Sequence, residues 1–243
     1  MLPSTADVHG SRQMSPTSRR LFIVFLMASA AICARLGFWQ VGRLQERRAA
    51  NRAAAEARAE PVVRLPGGAS GGRLENRRVE AVGRYDDANE IVLRGSSYQG
   101  MPGVTLVTPL RIRDSDTALL VTRGFVPSPD AVTVGTDSLR EPGEVRVVGV
   151  ALPIDSGRGR PLERNGGTTW AALDAAALRD RLPYPFYPVA VRQSPDPSLP
   201  RVPRRLEPPA LDDGPHLSYA VQWFLFATMA VVFAGVVVAR WRS

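Results

Sequence analysis

Only a few residues in this 243-residue chain could take a proton, hold a metal or act as a nucleophile. There are two histidines and one cysteine. His9 lies in a polar N-terminal stretch and reads as inert. Cys33 sits inside an apolar run, so neither an internal disulfide nor a cysteine-based metal cluster can form. His216 stands at the mouth of a long apolar segment, with Tyr219 close by and Trp223 two helical turns on. An imidazole in that setting suits haem iron. It reads equally well as an interfacial polar residue, and residue type alone leaves both readings open.

Other chemistry finds no support. The sequence has no G-x-S-x-G, no H-E-x-x-H, no P-loop and no Cys–His pair. A Ser–His–Asp triad needs a histidine among the loop serines and aspartates, and that central region has none. The neighbouring carboxylates Asp86 and Asp87 read as a turn. Two strings are unusual: GSSYQGMPG at 95–103, and Arg123-Gly124-Phe125-Val126-Pro127. Gly124 beside an apolar run predicts a bulge or a close backbone approach.

The elements that must position these residues begin with two apolar segments. The first runs from 21 to 41, interrupted only by Arg35, and is long enough to cross a hydrocarbon core of roughly 30 Å. Arg35 is near its far end, within reach of the interface by snorkelling, and Trp39 is placed as an interfacial anchor. A cleaved export signal is the rival reading, from the paired Arg19-Arg20 and the small residues Ala28-Ser29-Ala30. The second segment, 217–239, carries no charge and is closed by Arg240 and Arg242. Two spans put both tails on one side. Arg12, Arg19, Arg20, Arg240 and Arg242 argue that this side is cytoplasmic, whereas Arg43, Arg47, Arg48 and Arg52 argue the reverse. The short C-terminal tail favours cytoplasmic tails.

Composition limits what lies between. The net charge is +8, and all 31 basic residues are arginine. They are scattered, with no dense run and no aromatic ladder, which speaks against nucleic acid. The 42–60 stretch is rich in Ala and charge and predicts a helical extension of the first span into water, ended by Pro61. The 65–73 stretch is a Gly-rich loop. Strands are expected at 78–83, 90–94, 104–112, 118–126, 144–152 and 187–192, with a hairpin turn at Asp114-Ser115-Asp116 and a short helix at 174–182. The 194–215 stretch is a Pro-rich extended linker. The fold class expected is therefore two transmembrane helices, one near each terminus, flanking a mainly β domain at 61–193 of barrel or sandwich type with one or two short helices. The remaining segments, 1–20 and 240–243, are tails.

Four strings, in order, resemble the surfeit locus protein 1 family of cytochrome oxidase assembly factors. They are Leu36-Gly37-Phe38-Trp39-Gln40-Val41-Gly42-Arg43-Leu44; Gly83-Arg84-Tyr85 followed by GMPGVTLVTP at 100–109; Val121-Thr122-Arg123-Gly124-Phe125-Val126-Pro127; and His216-Leu217-Ser218-Tyr219-Ala220-Val221-Gln222-Trp223-Phe224. The resemblance covers roughly residues 20–240. Phe125 replaces a frequent Trp, Pro215 a frequent Asn, and Arg47 or Arg48 a frequent Lys. The resemblance implies an assembly factor, not an enzyme, in a bacterial plasma membrane, with both termini cytoplasmic and the β domain outside. It implies transient contact with haem a, with His216 as the iron ligand, and action on cytochrome c oxidase subunit I and haem a synthase. Trp39, Tyr219 and Trp223 would be aromatic walls, and Arg43 or Arg35 a partner for propionates. The alternative within the resemblance is a haem-independent scaffold for oxidase assembly intermediates.

Overall fold

The computed structural model describes residues 15–67, 73–154, 161–164 and 167–242. The chain divides into two compact units, one formed by residues up to Asn51 together with those from Asp212 onward, the other by Arg52–Leu211.

In the first unit lie the two apolar helices. Helix α1 is continuous over Pro16–Ala59, so the first apolar segment and its charged extension form one element. No Pro or Gly pair interrupts it, and Pro61 follows its end, since proline lacks the N–H that would continue the ladder. Helix α3 is His216–Arg242. Both are long and apolar enough to cross a membrane. Small residues make up most of their buried stripe. On α1 it runs Ala30, Gly37, Gln40 and Leu44; on α3 the buried positions are Ala220 and Ala234. Small side chains let helix backbones approach closely where water supplies no driving force. A Cβ on Gly37 would stand 2.7–3.0 Å from the Phe224 ring.

The second unit is a β-barrel, which decides between barrel and sandwich. Among the described residues it has nine strands, β1 (Val63–Leu65), β2 (Arg78–Tyr85), β3 (Ile91–Tyr98), β4 (Met101–Ile112), β5 (Ala118–Pro127), β6 (Val145–Pro153), β7 (Pro161–Arg164), β8 (Gly167–Trp170) and β9 (Phe186–Gln193). The ring closes in the order β2–β6–β9–β5–β4 and back to β2, where Gly83–Tyr85 pairs with 110–112. Closure removes the exposed edges that an open sheet would leave. Within this ring the pairs are antiparallel except β5–β9, which is parallel. Inward residues alternate along each strand: Val79, Ala81 and Tyr85 from β2, Leu119 and Val121 from β5, Val189 and Val191 from β9. The outward face of β5 is covered as well. Leu120 and Ala190 pack with Trp170 and Leu178, the latter from helix α2 (Ala175–Arg181). Asp174 caps α2 by accepting from the Ala176 and Ala177 N–H groups at 2.9 and 3.1 Å.

The six expected strands are all present, most of them longer than the sequence pattern marked. The GSSYQGMPG string is not a loose turn. It forms the β3–β4 hairpin with Gln99 and Gly100 alone at the tip, both at positive φ, the geometry two-residue hairpins favour. Asp86 and Asp87 form a turn: Asp86 Oδ2 accepts from the Tyr184 hydroxyl at 2.6 Å and from Asn89 Nδ2 at 2.8 Å. Part of the expected 65–73 loop falls outside the described residues, as do His9 and Arg12.

Candidate functional site

His216 is the first residue of α3, and a specific set of contacts delivers it there. Asp212, Asp213 and Gly214 make the turn before the helix. The Asp212 carbonyl accepts from Asn51 Nδ2 at 2.8 Å and Arg47 Nε at 3.2 Å, and Arg48 Nε pairs with Asp213 Oδ2 at 2.8 Å. Three side chains from the later part of α1 thus clamp the turn. Gly214 has φ +67 and donates its N–H to Asp212 Oδ1 at 2.9 Å, a conformation L residues seldom adopt.

The imidazole is then fixed from α1. His216 Nδ1 lies 2.9 Å from Gln40 Oε1. A carboxamide oxygen only accepts, so Nδ1 carries the proton and donates. Gln40 is a buried polar residue in an apolar stripe, and this is its partner. In the neutral ring that tautomer leaves the lone pair on Nε2. The missing side chain of Gly214 leaves that edge open: a Cβ there would stand 3.8 Å from Nε2. A histidine held at one nitrogen by an amide and free at the other is the arrangement of a metal-ligating imidazole with its outer partner in place.

The other expected residues divide. Tyr219 and Trp223 lie on the His216 side of α3, Tyr219 47% exposed and Trp223 half-buried with its ring edge-on to Phe226. Phe38 and Phe224 meet edge-to-face at 5.2 Å and close the other side of the helix contact. Trp39 does not join them. It follows Gly37 by two residues, about 200° round the helix, and lies 56% exposed in a shallow groove with Ala31, Ala34, Arg35, Leu36 and Phe38. Arg43 is exposed and already paired, with Glu46 at 2.6 Å. Among the described residues no group of three or more His, Cys, Asp or Glu side chains is placed to hold a metal.

A second constellation, in the barrel, escaped the sequence reading. Strand β5 carries a bulge against β4: Leu106 pairs with Gly124 and Val107 with Thr122, so Arg123 is the extra residue. The bulge turns Arg123 inward, where it is 1% exposed. It donates to Glu90 at 3.1 Å, to Glu141 at 2.8 Å and to the Leu139 carbonyl. Arg205 reaches the same Glu141 and donates to Gln193 Oε1 at 3.1 Å and to the carbonyls of Pro200 and Pro203. Two guanidiniums and two carboxylates cancel in charge, which lets all four be buried. Tyr85 lies under Arg123, and burial together with the Glu141 carboxylate pushes its phenol well above the ordinary value. Arg205 belongs to the stretch expected to be a linker. That stretch is extended, as expected, and also bonded to the barrel: Arg204 and Phe125 exchange backbone hydrogen bonds of 2.7 and 2.9 Å. The one signal in the sequence was an arginine in an otherwise apolar strand, next to a glycine.

These strings can be set beside known proteins. A SURF1-like protein of Rickettsia felis (strain ATCC VR-1525 / URRWXCal2) is 24% identical over 213 residues, which cover 85% of this chain and 92% of the relative. The family model described as "SURF1 family" matches residues 27–228, a stretch that takes in α1 from Met27 onward, the whole barrel, α3 as far as Thr228, and the Gln40–His216 pair. With most of its length matched in this way, the chain belongs to the SURF1 family.

Proposed function

We propose that this protein is a membrane-embedded assembly factor for haem–copper cytochrome c oxidase, and that it holds haem a through His216 on its way to subunit I. The observation that carries the reading is the 2.9 Å contact between His216 Nδ1 and Gln40 Oε1, which leaves Nε2 as a free ligand atom. Haem a would bring an iron that a neutral imidazole could ligate. His216 Nε2 supplies the lone pair, the Gln40 amide holds the ring plane and tautomer, and Gly214 leaves the approach open. Tyr219 and Trp223 offer apolar faces on the same side of α3. Only one protein ligand and partly exposed walls hold the group, which suits transient custody. Arg43 holds Glu46 through Nη1 and keeps other guanidinium donors for a propionate. In this reading the two helices cross the plasma membrane of a bacterium with both termini in the cytoplasm and the barrel outside, where subunit I and haem a synthase meet it.

A haem-independent scaffold is the second reading. The exposed Trp39 and Tyr219 favour it, since both would serve a protein contact equally well. Purification from cells co-expressing haem a synthase separates the two. The haem reading expects a haem a absorbance spectrum from the wild type and its loss in His216→Ala. Equal haem in both would remove the ligand role and leave the scaffold. Normal oxidase haem content in a deletion strain would remove the assembly reading altogether.

A further inference from the structure

The turn that carries His216 is held by an arginine whose guanidinium is only partly used. Arg47 donates Nε to the Asp212 carbonyl at 3.2 Å, and Asn51 Nδ2 donates to the same oxygen at 2.8 Å. A bond through Nε anchors the guanidinium plane and leaves Nη1 and Nη2 as a second donor edge. Among the described residues no hydrogen bond engages that edge. It is a fork of two parallel donors, the geometry that takes a carboxylate in bidentate fashion.

The helix sets where this fork lies. Gln40 and Arg47 are both on α1, and seven residues are two turns less about 20°. They therefore share one stripe, about 10 Å apart along the axis. Gln40 holds the His216 ring, and Arg47 holds Asp212. The imidazole and the guanidinium are thus fixed at the two ends of one short segment, 212–216. Between them Gly214 borders Nε2 and offers no side chain to fill the space. Side chains on a helix lean toward its N-terminus, so Arg47 starts out directed back toward the level of Gln40. Its neighbours are placed and engaged differently. Arg43 is about 60° off the stripe and holds Glu46, and Arg48 holds Asp213. Arg47 donates to a neutral carbonyl, so its whole charge stays at the site.

His216 Nε2 and this fork together match the iron and the propionates of a haem. We infer that Arg47 binds the carboxylates of the haem that His216 ligates, and so makes the site selective for a macrocycle with free acid side chains. The inference rests on the haem reading of His216 and adds to it the residue that reads the other end of the ligand. A lipid phosphate has the same chemistry for a guanidinium, and the choice of probe separates the two.

The test titrates purified full-length protein in detergent with iron protoporphyrin IX and, in parallel, with its dimethyl ester, which keeps ring and iron and lacks the charges. Soret absorbance reads binding. The decisive quantity is the preference for acid over ester, compared between proteins, because the probes' different partition into micelles then cancels. Arg47→Gln should lower that preference about tenfold, the size of one charge-assisted hydrogen bond. Arg47→Lys, a charge without the fork, should keep part of it. Asn51→Ala loosens the same turn without touching a guanidinium, and should weaken both probes while the preference stays. An unchanged preference in Arg47→Gln overturns the inference, whether both affinities fall, as for a mere clamp, or neither does, as for a residue that serves lipid phosphate. His216→Ala keeps the two questions apart. Loss of affinity for both probes upholds the haem reading, so that an unchanged preference in Arg47→Gln then sinks this inference alone. Undiminished binding in His216→Ala, or no binding by the wild type, removes the haem reading and this inference with it.

Discussion

An imidazole can hydrogen-bond through either ring nitrogen, and the nitrogen left over decides what the residue can do next. Here Gln40 occupies Nδ1 of His216 and so hands the chemistry to Nε2. The sequence made His216 conspicuous, because it is the only histidine near an apolar segment. Gln40 was visible only as a polar letter among apolar ones: a residue 176 positions away in the chain becomes a neighbour only when two helices pack, and no local pattern encodes that. The same limit explains Trp39 and Arg43. Both stand in the same string as Gln40, yet helical periodicity turns Trp39 to the far side, and Glu46, three residues on, takes Arg43. Within the haem reading, Gln40→Leu leaves the ligand atom in place but frees its tautomer and orientation. Haem retention by purified protein should fall on the order of tenfold, between wild type and His216→Ala. Spectroscopy gives a second readout: nitrogen chemical shifts of the imidazole should report a protonated Nδ1 in the wild type and a mixture of tautomers in Gln40→Leu. A wild-type ring protonated at Nε2 would contradict the assignment whatever the haem content.

At the scale of elements, β5 shows how one residue redirects several. Its alternation reads as an ordinary strand, but Gly124 breaks the register and turns Arg123 inward. The glycine has two reasons to be there. Its φ is +141, and an added Cβ would lie 2.2 Å from the Arg204 carbonyl oxygen. Gly124→Ala must therefore strain the bulge or push away the Arg204 strand, at a cost of about 2–4 kcal/mol. A thermal melt followed by near-UV circular dichroism should show a midpoint lower by about 5–15 °C; an unchanged midpoint would mean that the bulge and the Arg204 contact are not what hold this edge. Gly124 was legible beforehand, since an isolated glycine in a strand pattern marks a bulge or a close backbone approach. Strands β1, β7 and β8 were not. They are three or four residues long, too short for alternation to register, and they exist because a neighbouring strand supplies a template.

For the whole molecule, the division at Asn51 and Leu211 makes a definite claim about folding: residues 52–211 close a barrel, its core and its ion pairs without the apolar helices. Composition already separated apolar ends from a strand-rich middle. It placed the end of the domain too early, at 193, because a stretch of prolines and charges resembles a linker. What binds that stretch is not apolar burial, which a sequence advertises, but pairing of charge and backbone that depends on distant partners. Arg205 completes the pairing of Glu141 and the bonding of Gln193, Arg204 bonds Phe125, and Glu207 accepts from Arg192 at 3.2 Å. A fragment of residues 52–211 should then melt cooperatively by itself, as a domain with its own core does. A fragment ending at residue 194 keeps every strand but leaves Glu141 with one guanidinium where it had two, and Gln193 with an unanswered buried amide. Removing one member of a buried charge cluster costs about 3–5 kcal/mol, so its melting midpoint should lie roughly 10–15 °C lower. Calorimetry of the two fragments decides the point. Equal midpoints would return 195–211 to the status of a linker, and a lower midpoint would make it the last structural element of the barrel.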